Sequence, residues 1–68
     1  MTETPFGPLE SLVGRTFERD GLCRIVTLVN RWYVFWRRPP LVSIVRCVPH
    51  RAFLHWLSGA TEVNDGQG

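Results

Sequence analysis

The sequence predicts a small, mainly β fold: an SH3-like barrel or a four-stranded antiparallel meander with one short C-terminal helix. Three observations carry this expectation. Asp20-Gly21 is a strong hairpin signal, because both central positions of such a turn take positive φ. The runs on its far side, above all residues 22–29 and 32–37, are rich in β-branched and aromatic side chains that suit a pleated surface. After Val48 the pattern changes to a helical one. Pro49 fits a first helical turn, Phe53, Trp56 and Leu57 recur at helical spacing, and Gly59 suits the left-handed residue past a helix end.

In chain order, residues 1–8 hold Pro5, Gly7 and Pro8 and read as a flexible lead-in. Leu9, Leu12 and Val13 suit one short helical turn before Gly14. The strands follow at 15–19, 22–29, 32–37 and 42–48, with Asn30-Arg31 as a tight turn. Arg38-Pro39-Pro40-Leu41 interrupts pairing because neither proline can donate to a ladder. A helix over about 49–58 is too short to stand alone and must dock Phe53 and Leu57 on the sheet. Residues 9–59 form a single domain, and 60–68 a flexible tail.

Composition narrows the function classes. The 68 residues are 44% hydrophobic and 21% charged, an ordinary globular balance, and no apolar run approaches the roughly 20 residues of a membrane-spanning helix. No export pattern marks the N-terminus, so a reducing cytoplasm is expected, with Cys23 and Cys47 as buried free thiols. All eight basic residues are Arg. Between positions 11 and 59 they face only Glu18 and Asp20, a net charge of +6 that attracts polyanions or an acidic protein surface. Arginine's planar guanidinium also stacks on rings and grips phosphate or carboxylate with two donors.

A two-residue Asn30-Arg31 loop pairs Val29 with Trp32, Thr27 with Val34 and Ile25 with Trp36. Through the Asp20-Gly21 hairpin, Phe17 lies opposite Arg24. One face then carries Arg15, Arg19, Arg24 and Arg37 among Phe17, Val26, Leu28, Tyr33 and Phe35. Burying four unpaired guanidinium groups is too costly, so this face is expected in solvent, with Ile25, Val29, Trp32, Val34 and Trp36 as the core. Arg15, Arg19, Arg24, Tyr33, Phe35 and Arg37 become the candidate partner-binding surface, since rings interleaved with Arg suit bases or a protein hot spot.

Catalysis is not expected. Cys23, Cys47, His50 and His55 lack a paired Cys-x₂-Cys knuckle, and His50 and His55 would point to different sides of a helix, so no metal is assigned. Paired carboxylates and a glycine-rich phosphate loop are missing from the sequence, and no cofactor is implied.

Gly14-Arg15-Thr16-Phe17, Asp20-Gly21, the stretch from Trp32 through Arg38 and the ending from Cys47 to Leu54 together resemble small uncharacterised phage and plasmid proteins with an SH3-like meander. The resemblance spans about 14–58. It implies a mobile-element accessory protein in a bacterial cytoplasm, with no catalytic residues to carry over. The expected function is an interaction module that inhibits a host nucleic-acid-handling or defence complex. Direct DNA or RNA binding and a homodimer joined through Tyr33 and Phe35 are the alternatives.

Overall fold

A computed structural model describes residues 3–63. A two-residue hairpin, β1 (Glu3–Thr4) and β2 (Gly7–Pro8), leads into a 3-10 turn at Leu9–Leu12. The main sheet comprises β3 (Thr16–Arg19), β4 (Leu22–Val29), β5 (Tyr33–Arg38), β6 (Leu41–Pro49) and β7 (Thr61–Val63), with α1 (His50–Leu57) between the last two. Its order is β6-β5-β4-β3-β7, with every pair antiparallel. The expected mainly β meander and its short helix are therefore present. A fifth strand, drawn from the segment read as tail, adds to it beside β3. Residues 64–68 of that segment lie outside the described residues, as do the first two of the lead-in.

Local chemistry explains the elements that were legible. Asp20 at φ 55° and Gly21 at φ 80° form the β3–β4 turn, and the Glu18 carboxylate accepts the Gly21 N–H at 3.1 Å. Leu9 and Leu12 of the 3-10 turn are fully buried. Backbone bonds from Gly14 N to the Val26 carbonyl, and from Val26 N to that of Arg15, tie the segment to β4. Helix α1 docks Phe53 and Leu57, as its spacing requires.

Gly59 departs from expectation: it does not take a positive φ. A Cβ there would lie 2.9 Å from Arg19 Nε. The Arg19 guanidinium occupies that space to donate to the carbonyls of His55 and Trp56, both at 3.0 Å, satisfying the end of α1.

The register departs from expectation between β4 and β5. Asn30 Oδ1 accepts the N–H groups of Trp32 and Tyr33 at 2.8 and 2.7 Å, so Asn30–Trp32 is a three-residue loop and β5 begins at Tyr33. Val29 pairs with Val34 and Leu28 with Phe35. That shift, of two positions, keeps the same residues on each face. A bulge at Thr27 then adds one residue to β4, so Val26 and not Ile25 lies opposite Trp36. One position exchanges the faces. Beyond the bulge, Val26, Arg24 and Phe17 turn inward, while Ile25 and Cys23 turn outward.

The core consequently differs from the expected set. Val34 and Trp36 are buried as anticipated, together with Phe17, Val26, Leu9, Leu12, Phe53 and Leu57. Val29 is half-buried against them, and Trp32 is 63% exposed because it sits in the loop. Neither cysteine is fully buried: Cys23 is half-buried and Cys47 exposed, since both face outward from the sheet.

Strand β7 is held by more than its ladder. Arg15 Nε and Nη2 donate to the two Glu62 carboxylate oxygens at 2.9 and 2.8 Å, and Nη1 donates to the Phe6 carbonyl at 3.2 Å. The Arg15 hydrogen bonds, reinforced by its charge, hold the Glu62 carboxyl below its ordinary pKa. A carboxyl lowered in the folded state stabilises above its unfolded pKa of about 4.3 and loses that contribution as pH falls through the folded value. Thermal melts between neutral pH and strong acid should show stability declining below about pH 4.3, and Glu62→Gln should remove part of that decline. An acid limb of unchanged steepness in Glu62→Gln would mean that the pair does not stabilise the fold.

Candidate functional site

The bulge at Thr27 divides the six candidate binding residues between the two sides of the sheet. Arg15, Arg19 and Arg24 lie on the helix-covered side, and Tyr33, Phe35 and Arg37 on the open one. The expectation of one continuous arginine–aromatic face is corrected accordingly.

Each of these three helix-side arginines has a different partner, which is why its place beside the core is tolerated. Arg15 is paired with Glu62, and Arg19 caps α1. Arg24 lies between two indoles, its Cζ 4.0 Å from the Trp36 ring centroid and 4.4 Å from that of Trp56. Burial lowers the Arg24 pKa, and the nearby Arg38 charge lowers it further. No carboxylate lies within 4.0 Å of Arg24 among the described residues.

On the open side, Leu28 pairs with Phe35 and Phe35 with Cys47, while Arg37 stands between Ile25 and Val45. Tyr33 faces Pro49. Leu28 is 53% exposed, Val45 47% and Tyr33 42%, whereas Phe35 and Ile25 are half-buried by their neighbours. The result is an apolar stripe across three strands with a guanidinium at one end. Sequence reasoning placed Leu28 beside Tyr33 and Phe35 but missed Ile25 and Val45, whose side depends on the bulge and on pairing with β6.

Charge is segregated as well. Positions 21–61 contain six Arg and no Asp or Glu. Among the described residues, Arg24, Arg31, Arg37, Arg38, Arg46 and Arg51 have no carboxylate within 4.0 Å, and the acids Glu18, Asp20 and Glu62 gather around β3 and β7. This acid-free stretch was legible in the sequence and would have pointed to Arg38 and Arg46.

His50 Nε2 lies 2.7 Å from the Asn30 carbonyl, linking α1 to the β4–β5 loop. Among the described residues, no three His, Cys, Asp or Glu side chains converge as metal ligands, and no helix is long and apolar enough to cross a membrane. Compared with protein-family models, curated proteins and solved structures, the chain matches none.

Proposed function

We propose that the chain is a non-enzymatic interaction module that docks the open side of its sheet on an acidic protein surface. The observation that carries this reading is the uncovered stripe of Leu28, Tyr33, Phe35 and Val45 ending at Arg37. Contiguous exposed apolar side chains with an aromatic and an arginine have the composition of a protein-binding hot spot. A carboxylate opposite Arg37 would supply both orientation and a charge-assisted bond. In keeping with the resemblance to phage and plasmid accessory proteins, the partner is taken to be a host nucleic-acid-handling or defence complex in a bacterial cytoplasm, which the module would inhibit by occupancy.

The test uses the full chain as bait in host lysate, beside Leu28→Glu/Arg37→Glu on the open side and Arg51→Ala on α1. Wild type and Arg51→Ala should retain the same partner, while the double variant weakens binding by about tenfold or more. Equal capture by all three would sink the reading. Light scattering completes the test: a dimer that only the double variant dissociates would replace the foreign partner with a second copy.

A further inference from the structure

On the helix side, three arginines with no acid partner among the described residues take positions around Trp36. Arg24 lies over its ring at 4.0 Å, Arg46 stands directly across from it on β6, and Arg38, two residues along β5, shares its side of the sheet by strand alternation. We propose that Arg24, Arg38 and Arg46 form a binding shelf for the phosphodiester backbone of a nucleic acid. The Arg24 Cζ lies over the Trp36 and Trp56 rings, 4.0 and 4.4 Å from their centroids, and the parallel donors of a guanidinium held there match two phosphate oxygens.

The layout selects a chain of phosphates over a single one. The three cations stand on three adjacent strands, which spread over about 10 Å at ordinary strand spacing. Arg38 and Arg46 are exposed, so the shelf is open and gives a small anion little enclosure. Successive phosphates along one strand can reach all three groups, with counterions released at each. This surface faces away from Leu28, Tyr33 and Phe35, so it stands or falls separately from the protein-docking reading.

The experiment is fluorescence anisotropy of a labelled 15-nucleotide single strand of random sequence, titrated with wild type, Arg38→Ala/Arg46→Ala and Arg31→Ala/Arg51→Ala at several salt concentrations. All four substituted positions are exposed, and both doubles remove the same charge. Wild type should bind, and the logarithmic salt slope of the Arg38/Arg46 double should fall by about 1.4, two single-strand phosphate contacts, with at least a tenfold loss of affinity in low salt. The Arg31/Arg51 double should lose much less. Arg24→Lys, which keeps the charge but not the planar fork, should weaken binding, with circular dichroism confirming its fold. Competition with inorganic phosphate and with polyglutamate should displace the strand only at far higher charge concentration. No binding by wild type, equal loss in both doubles, or displacement by polyglutamate as readily as by unlabelled oligonucleotide would each overturn the proposal.

Discussion

Phe17→Ala is expected to remove most of the stability of the domain. Phe17 is fully buried at the centre of β3, with the Phe6 ring 4.9 Å away and tilted by 52°. Truncating a buried phenylalanine costs about 3–5 kcal/mol, part from lost transfer energy and part from the cavity. A 68-residue domain has only about 3–10 kcal/mol at the usual per-residue stability. The Phe6 contact also anchors the β1–β2 hairpin, so its loss would spread to the N-terminal segment. Urea unfolding followed by tryptophan fluorescence should show the midpoint falling sharply or the cooperative transition disappearing. A midpoint close to wild type would mean that Phe17 is not a core residue and that the inward turn beyond the Thr27 bulge is misassigned.

The second large effect is expected at Trp36, as a contrast between two substitutions. Its side chain is buried, lies opposite Val26 and carries the Arg24 guanidinium over its ring. Its Nε1–H has no acceptor among the described residues. Trp36→Ala should cost about 3–5 kcal/mol. Trp36→Phe keeps a ring beneath Arg24 and deletes a buried unsatisfied donor whose desolvation costs about 1–3 kcal/mol, which offsets the smaller packing volume. Its net effect should lie within about 1 kcal/mol of wild type. Calorimetric melts of both variants decide the matter, and equal damage would show that the indole donor or its extra volume is indispensable.

The two faces of β4 explain why the candidate site was only partly legible. Alternation along β5 put Val34 and Trp36 on one side, the cost of burying the arginines opposite made that side the core, and the Phe17–Arg24 pairing followed from the Asp20-Gly21 turn. Thr27 has no glycine or proline beside it to announce a bulge, yet that one residue carries Phe17 and Val26 from the open side to the core. Neither face of the sheet is wholly wet or wholly dry. Arginine side chains are long enough to leave the edge of a core and find Glu62, the end of α1 or an indole pair, so guanidinium content did not decide which face was buried.

Short-range signals are sufficient for the hairpin at Asp20-Gly21, the strands on either side of it, the turn at Leu9–Leu12 and the helix that docks Phe53 and Leu57, because each depends on backbone preference or periodicity within a few residues. The placement of β7 beside β3, the pairing of Arg15 with Glu62 across 47 positions and the gathering of Arg24, Arg38 and Arg46 around Trp36 arise only when distant strands meet. No local preference contains them: a strand's register, and with it the side of the sheet each residue faces, is set by the neighbours it pairs with.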